Sequence, residues 1–203
     1  MSTLTFWFDV HSPWVYLASF RVGDIARGHG LPLRWRPLHL PKLMDEIGGI
    51  KPLEASPQRV AWFQQDIQDH AELLGVPLRY HPHYPLRNSR ALRACILADD
   101  DGKAEAFVRR VLKGYWAEEA DITDLDQLAQ WGAESGLDPE AVKAAAVSEN
   151  YKQRLDANTS DAIARGVFGV PTVDTGTRLY FGNDRLDLLD RHLSRGWLIL
   201  VLS

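Results

Sequence analysis

The sequence contains very little cysteine, and this absence restricts the chemistry that the chain can perform. Its 203 residues include one cysteine, Cys95, so the chain can form no internal disulfide and carries no C-x-x-C motif. A disulfide oxidoreductase is nearly excluded, because such an enzyme exchanges disulfides through paired thiols. Cys95 also lies in a predicted helix, far along the chain from the candidate site described below.

Basic blocks and long apolar runs are missing as well. The formal net charge is −4, and no run of like charges favours a nucleic-acid partner. The first residues, MSTLTFWF, lack the basic segment and apolar core of a signal peptide. The apolar tail Trp197–Leu202 is far too short to span a bilayer. We therefore expect a cytoplasmic protein with no membrane or nucleic-acid partner.

Hydrophobic residues, by contrast, are abundant. They make up 45% of the chain, which suits one domain, or one domain with a large insertion, built around a substantial core. The seven tryptophans fit either a well-filled core or apolar pockets, and the count alone does not separate the two.

The start of the chain has the pattern of a strand, a helix and a second strand. Leu4–Phe8 is a short apolar run of the kind that forms a buried strand. Ser12 and Pro13 predict a helix start, with Ser12 as the cap and proline at the first helical position. The helical pattern continues to Gly28 or Gly30. The alternating residues that follow, LPLRWRPL, predict the second strand.

Helical patterns then follow one another until the end of the chain becomes mixed again. The predicted helical segments span residues 57–75, 89–113 with a break at the acid run 99–101, 123–136 from a threonine cap, and 138–166. The last segment, VFGVPTVDTGTRLYFGNDRLDLLDRHL, predicts a strand, a Thr-Gly turn, a strand and a helix from about Asp184. This order predicts an α/β chain with a thioredoxin-like fold and a large all-helical insertion. We expect one unit, with residues 1–39 and 166–203 forming the thioredoxin-like part and residues 40–165 the insertion.

Ser12 occupies the position of chemical interest in such a fold. The loop after the first strand brings its reactive atom to the N-terminus of the first helix, where free N–H groups and the helix dipole favour negative charge. Thiol enzymes use this position to lower a thiol pKa, but here Ser-Pro-Trp-Val replaces the C-x-x-C motif. The Ser12 hydroxyl can donate a charge-assisted hydrogen bond to a thiolate that arrives with a ligand. Alternatively, Ser12 only caps the helix.

Pro171 opens the strand that follows the helical block, where thioredoxin-like folds place a cis-proline. Cis X–Pro bonds are uncommon and usually meet a specific structural need. Such a bond would turn the backbone N–H and C=O of Val170 toward the site, where they could pair with an extended peptide. A trans proline at the start of a strand is equally compatible with the sequence.

The segment FGNDRL, residues 181–186, predicts a second binding feature. Gly182 permits a tight turn, and Asn183 or Asp184 could cap the last helix, whose free N–H groups would bind a carboxylate. An acid there could also hold an ammonium group, so the corner could bind both ends of an amino acid. Ordinary capping is the alternative.

Three segments, FWFDVHSPWVYLA, GVFGVPT and YFGNDRLDLL, together resemble the 2-hydroxychromene-2-carboxylate isomerase family. That family is related to kappa-class glutathione transferases and, more distantly, to DsbA-like oxidoreductases. The resemblance covers essentially the whole chain and implies a thioredoxin-like fold, glutathione as the cofactor and a homodimer. It implies that Ser12 is catalytic and touches the glutathione sulfur. The other residues that it assigns to glutathione are Val170 and Pro171 for the backbone, and Phe181, Gly182, Asn183 and Asp184 for the γ-glutamyl end.

The substrate side of the resemblance rests on three residues, and the aromatic character of Trp14 adds a fourth candidate. Lys42 is a candidate partner for a carboxylate, although an ungapped alignment places the family's lysine at Met44. Tyr84 and Asn88 follow a G-x-P-L turn, as the family's tyrosine and Asn-Ser pair do, with extra residues between. Trp14 is a candidate for an aromatic floor under a planar substrate.

The histidines provide weaker signals. His11 adjoins Ser12 and could act as an acid or base near neutral pH, although such a residue more often only lines its loop. His70, His81 and His83 lack a clear fourth ligand and a standard spacing, so we expect no metal site.

The family resemblance favours a glutathione-dependent isomerase of an aromatic ring-cleavage intermediate. The reaction would resemble conversion of 2-hydroxychromene-2-carboxylate to trans-o-hydroxybenzylidenepyruvate, by reversible thiolate addition, bond rotation and elimination. One alternative is a kappa-like transferase that conjugates glutathione to electrophiles. Another is a non-catalytic thioredoxin-like binding protein. For the enzymes, we expect a small aromatic or electrophilic substrate.

Overall fold

A mixed sheet organises residues 3–49 and 56–196, the parts of the chain that this computed structural model describes. Its strands are β1 (Leu4–Phe8), β2 (Leu33–Pro37), β3 (Thr172–Asp174) and β4 (Leu179–Phe181). The strand order is β2-β1-β3-β4, in which β1 runs parallel to β2 and antiparallel to β3, and β4 is antiparallel to β3. The sheet thus joins the two ends of the chain, and the predicted α/β, thioredoxin-like arrangement is confirmed.

Helices account for most of the remaining described residues. Two lie between β1 and β2, namely α1 (Pro13–Ser19) and α2 (Val22–Gly28). Between β2 and β3 are α3 (Leu40–Ile47), α4 (Pro57–Leu74), α5 (Ser89–Asp100), α6 (Ala104–Ala117), α7 (Leu125–Glu134), α8 (Pro139–Val147) and α9 (Glu149–Ala164), and α10 (Leu186–Ser194) follows β4. None of these helices combines the length and the apolar character needed to cross a membrane. The proposed domain division stays a prediction, and the apolar tail 197–202 lies outside the described residues.

The predicted first helix is correct at its start and wrong at its end. Ser12 caps α1 by accepting from the Val15 N–H, with proline at the first helical position. The helix ends at Ser19 and a new one begins at Val22. Tertiary contacts hold the break, because Arg21 pairs with Asp187 of α10 and the Arg109 guanidinium lies 5.0 Å from the Phe20 ring centroid.

Two other predicted helix boundaries are also wrong. The helical run predicted over residues 138–166 is interrupted at Ser148, whose hydroxyl accepts from the Tyr151 N–H and starts α9. The cap of α7 is Asp124, whose carboxylate accepts from two N–H groups of the first turn. The threonine before it was the predicted cap. Asp124 and Ser148 both have polar side chains of the type preferred at helix N-caps, because their oxygens accept from free helical N–H groups.

Aromatic side chains fill the core around β1. Phe6, Trp7 and Phe8 are fully buried, and the Phe6 ring meets the Trp35 ring edge-to-face at 4.9 Å. Burial of each large apolar side chain stabilises the fold by about 2–3 kcal/mol. Trp116 and Trp131 are fully buried as well, so core packing accounts for several of the tryptophans.

The edge strand β2 is closed by side chains from two helices. The Trp35 N–H donates to Asp99 Oδ1 of α5 at 3.0 Å, and Asn158 Nδ2 of α9 donates to the Pro37 carbonyl at 3.1 Å. An outer strand otherwise exposes such groups to water, and these two bonds satisfy one donor and one acceptor of the backbone at this edge.

Candidate active site

Ser12 and Val170 meet where the chain leaves β1 and approaches β3. The Ser12 hydroxyl donates to the Val170 carbonyl at 3.5 Å and accepts from the Val15 N–H at 3.4 Å. Both distances are long compared with those of ordinary protein hydrogen bonds. Ser12 is 7% exposed, so its hydroxyl is nearly enclosed but its proton is only weakly held.

The peptide bond between Val170 and Pro171 is cis, which decides between the two alternatives that the sequence left open. The Pro171 carbonyl accepts from the Gly182 N–H at 2.9 Å, so the segment before β3 is joined to the turn after β4. Among the described residues, the Val170 N–H has no hydrogen-bond acceptor. The backbone of Val170 therefore retains the capacity to pair with an extended peptide.

The Phe181 ring packs closely against Phe168 and Gly169, which precede Val170 and Pro171. A Cβ on Gly169 would lie 2.7 Å from Cε2 of the Phe181 ring, so any other residue there would require the ring to shift. The Phe168 and Phe181 ring centroids are 4.6 Å apart. Phe181 remains 41% exposed, which leaves an apolar surface beside Val170.

The turn after β4 differs from the predicted helix cap. Gly182 has a φ of +108° and precedes a 3₁₀ turn over Asn183–Arg185, after which α10 begins. Gly182 and Arg185 occupy the cap positions and neither forms a side-chain cap bond, so the predicted capping of the last helix by Asn183 or Asp184 is wrong. The exposed Asp184 carboxylate instead lies 3.7 Å from the Arg185 guanidinium.

Asn183 carries an unpaired polar atom in a buried position. The residue is 3% exposed, and its Oδ1 has no hydrogen-bond partner within the described part of the chain. A buried carbonyl oxygen without a donor costs free energy, and native proteins contain few such atoms. The 3₁₀ turn that carries Asn183 packs against α1, the helix that Ser12 caps. This oxygen therefore has unused acceptor capacity in the turn that packs against α1.

Two of the substrate-side candidates are engaged with other elements. The Lys42 ammonium lies 2.9 Å from Asp156 Oδ1 of α9, and this hydrogen bond raises the pKa of Lys42. The Trp14 ring packs edge-to-face against two rings of α4, those of Phe63 at 6.0 Å and His70 at 5.1 Å. For either residue, contact with a substrate would have to coexist with these interactions or replace them.

The other two candidates lie on the loop between α4 and α5. Tyr84 donates its hydroxyl to the His11 carbonyl at 3.4 Å, and burial raises the pKa of Tyr84 well above its ordinary value, so the phenol is neutral. Asn88 is buried and donates from Nδ2 to Asp9 Oδ1 at 2.6 Å. Tyr84 thus has a loosely held proton beside the Ser12 loop, whereas the Asn88 amide supports Asp9.

Asp9 is a supporting residue that the sequence reasoning missed. Its carboxylate is fully buried and accepts from the His11 N–H at 2.9 Å, the Leu40 N–H at 2.8 Å and Asn88. It therefore ties the end of β1 to the starts of α3 and α5. The available signal was an acid placed directly after an apolar strand, since a carboxylate there must find several donors if it is buried.

The histidines that raised the question of a metal site serve other contacts. His81 bonds through Nε2 to the Glu119 carbonyl at 3.0 Å, and its Nδ1 accepts from the His83 N–H at 3.0 Å. Within residues 3–49 and 56–196, no group of three or more His, Cys, Asp or Glu side chains is placed to hold a metal ion.

The structure thus links part of the predicted site through direct contacts. Ser12, Val170, Pro171 and Gly182 are linked through consecutive contacts, and Asn183 follows in the same turn. Lys42 and Trp14 make their described side-chain contacts with α9 and α4 instead.

Comparisons with known proteins agree with the fold and identify the family. Residues 3–194 match the DSBA-like thioredoxin domain family. The chain is 32% identical over 193 residues to 2-hydroxychromene-2-carboxylate isomerase of Pseudomonas putida, with 94% of this chain and 93% of that protein covered. It is 23% identical over 209 residues to glutathione S-transferase kappa 1 of Rattus norvegicus, with 96% and 92% covered. A solved structure of a 2-hydroxychromene-2-carboxylate isomerase aligns with a TM-score of 0.83 at 29% identity, covering 95% of each chain.

Proposed function

Because the chain belongs to the 2-hydroxychromene-2-carboxylate isomerase family within the DSBA-like thioredoxin domains, we propose that it is a glutathione-dependent isomerase of an aromatic ring-cleavage intermediate. Its relatives support isomerase activity. The substrate pair that we propose is 2-hydroxychromene-2-carboxylate and trans-o-hydroxybenzylidenepyruvate. One observation carries the proposal, namely that the place of a reactive thiol is taken by a weakly bonded hydroxyl, Ser12, beside the cis-proline Pro171.

The residues of this corner fit glutathione in three respects. The unpaired Asn183 Oδ1 would accept from the ammonium of the γ-glutamyl end. The free N–H and loosely bonded carbonyl of Val170 would pair with the peptide backbone. The Ser12 hydroxyl would donate to the sulfur. Each of these groups has bonding capacity that the described protein leaves unused or only weakly used, which is what a site for a polar peptide requires.

Ser12 would perform the central task of stabilising a negative sulfur. Bound glutathione would supply a thiolate able to add reversibly to an unsaturated carbon, so that a double bond can rotate. The Ser12 proton is held by the Val170 carbonyl at only 3.5 Å, and a bond to an anion is stronger than a bond to a neutral carbonyl. Since α1 is only seven residues long, we assign this stabilisation mainly to the hydroxyl and less to the helix dipole.

Tyr84 is the leading candidate on the substrate side. Its phenol is kept neutral by burial, and its bond to the His11 carbonyl is long at 3.4 Å. It could therefore transfer its hydrogen bond to an oxygen of the substrate. The proposal also includes contacts of Lys42, Asn88 and Trp14 with the substrate. It includes contacts of Phe181 and Asp184 with glutathione.

A calorimetric titration with reduced glutathione, beside S-methylglutathione, tests the proposal. We expect reduced glutathione to bind and methylation of the sulfur to weaken binding, because the thioether cannot become an anion. Turnover of 2-hydroxychromene-2-carboxylate should then require glutathione. Absence of binding by either compound would contradict the proposal and favour a non-catalytic binding protein on the same scaffold.

A transferase is the second candidate, and the similarity to glutathione S-transferase kappa 1 supports it. It would use the same glutathione site and differ in releasing the adduct. Mass spectrometry of the reaction mixture distinguishes the two reactions. A stable conjugate favours the transferase, whereas an isomerised product with glutathione regenerated favours the isomerase.

The proposal extends to a cytoplasmic homodimer, as the family resemblance implies. Two exposed apolar residues on α4 are consistent with an interface, since Trp62 is 60% and Leu73 is 82% exposed. Their spacing of three helical turns places them on one face of the helix. Sedimentation equilibrium measures the mass in solution, and a monomer at all concentrations would contradict the homodimer.

A further inference from the structure

His11 connects the Ser12 loop to the loop between α4 and α5. That second loop, residues 75–88, contains no helix or strand, and Tyr84 and Asn88 lie in its last part. The His11 ring reaches across to it and bonds through Nε2 to the Leu86 carbonyl. The two residues are 75 positions apart in the sequence, so this contact joins two distant segments of the chain.

The chemistry of this contact defines the state of the imidazole. A carbonyl oxygen can only accept, so Nε2 must carry the hydrogen and act as the donor. The ring is placed for this by its neighbours, since its centroid lies 6.2 Å from that of Tyr84 and 5.9 Å from that of Tyr115. Tyr115 also accepts from the Leu86 N–H through its hydroxyl at 3.3 Å. Both polar groups of the Leu86 backbone are therefore bonded to aromatic side chains.

The backbone of His11 strengthens the same connection. Its N–H donates to Asp9 and its carbonyl accepts from the Tyr84 hydroxyl. Asn88 is also joined to Asp9, through the amide bond described above. The segment from Tyr84 to Asn88 is thus attached to residues 9–11 at three points, immediately before Ser12.

We propose that His11 is a positioning residue that fixes the segment Tyr84–Asn88 beside Ser12 and thereby sets the geometry of the electrophile site. This inference rests on the proposed function. The groups assigned to glutathione are the Ser12 hydroxyl, the Val170 backbone and the turn after β4, whereas the His11 ring contacts the loop between α4 and α5. Its loss should therefore affect recognition of the electrophile and leave glutathione binding intact.

Two substitutions that differ by one methylene group test this role. His11→Gln can place an amide N–H near the position of Nε2, whereas His11→Asn is too short to reach the Leu86 carbonyl but remains polar. We expect His11→Asn to raise the KM for the electrophile about tenfold, as loss of one good hydrogen bond allows. In His11→Gln the KM for the electrophile should stay closer to that of the unmodified protein. The dissociation constant for glutathione should not change in either variant. His83→Asn is the matched control, because the His83 side chain is exposed and its ring forms no hydrogen bond with the described residues.

Hydrogen exchange provides a second readout that does not depend on activity. The amides of Tyr84 and Leu86 are protected by the His81 carbonyl and the Tyr115 hydroxyl. In His11→Asn we expect faster exchange in peptides covering residues 79–88, with slower exchange recovered in His11→Gln. Unchanged exchange in His11→Asn, or a change in glutathione affinity without a change in the electrophile KM, would overturn the inference. If the unmodified protein shows no glutathione-dependent turnover, the proposed function fails, and the exchange data alone still decide whether His11 positions the loop.

Discussion

The Ser12 hydroxyl lies 3.5 Å from the Val170 carbonyl, although 158 positions separate the two residues in the chain. Antiparallel pairing of β1 with β3 brings the segments together, and the Val170–Pro171 cis bond lies at the approach to β3. A hydroxyl at this point has a proton that it can redirect.

Replacement of Ser12 by alanine should lower turnover about 100-fold, which is the typical effect of removing one hydrogen-bond donor to a reacting anion. Steady-state kinetics with saturating glutathione measures this. The matched control is Ser194→Ala, which also removes a hydroxyl that donates to a backbone carbonyl, that of Asp190 at 2.9 Å. Equal turnover in Ser12→Ala and the unmodified protein would remove Ser12 from the mechanism.

Replacement of Gly182 by alanine should destabilise the turn that carries Asn183. Its backbone, with φ +108° and ψ 149°, lies in a region that side-chain-bearing residues avoid, at a cost of about 2 kcal/mol. Gly176→Ala is the control, because that glycine also has a positive φ of +84° but has nothing within 4 Å of an added Cβ. It should cost about 1 kcal/mol. Denaturant unfolding measures the free energy of unfolding of both variants. A smaller loss in Gly182→Ala than in Gly176→Ala would contradict this prediction.

Replacement of Asp9 by asparagine should reduce the free energy of unfolding by about 2 kcal/mol. Three donors converge on the two carboxylate oxygens, from His11, Leu40 and Asn88. An amide has only one oxygen, so at least one of these donors would meet an N–H group. Asp24→Asn, at an exposed carboxylate paired with Arg27, should change stability by less than about 0.5 kcal/mol. Similar effects at both positions would mean that Asp9 does not organise the loops.

Alkaline pH should weaken the fold through Tyr115. Burial, with a smaller contribution from the charge of Asp9, raises the pKa of Tyr115 to about 12 from its ordinary value of 10.0. The folded state therefore holds this proton more tightly than the unfolded state, and stability falls as the pH rises from about 10 toward 12, by at most about 3 kcal/mol. Urea unfolding over this pH range should show a smaller fall in the free energy of unfolding for the Tyr115→Phe variant than for the unmodified protein. Equal falls in the two proteins would exclude Tyr115 as a cause.

Cys95 should be unreactive in the native protein. It is fully buried in α5, and burial raises the pKa of its thiol far above the ordinary value, so little thiolate is available. An aromatic disulfide reagent at pH 8 should label Cys95 only after denaturant is added. Rapid labelling of the folded protein would reopen the possibility of thiol chemistry that the sequence argues against.

Local signals explain which features could be predicted from the sequence. The cap at Ser12 and the strand Leu4–Phe8 depend on adjacent residues, and both are confirmed. The break after Ser19 depends on contacts of Phe20 and Arg21 with α6 and α10, so no residue near the break indicates it. In the candidate site, the sequence suggested Ser12, whereas for Asp9 its only signal was an acid placed directly after an apolar strand. The partners of Asp9 lie 31 and 79 positions away, and such distances are not visible in a local pattern.

The side chains that close the outer strand β2 also affect how molecules of this protein can associate. Asp99 and Asn158 are hydrogen-bonded to backbone groups of β2 that a strand from a second molecule would need for pairing. At the opposite edge, β4 offers only three residues. Neither edge therefore provides a long template for intermolecular β-sheet growth, which is the usual route to fibrous aggregates. Concentrated solutions of the folded protein should resist that route, and association between molecules should proceed through helix surfaces.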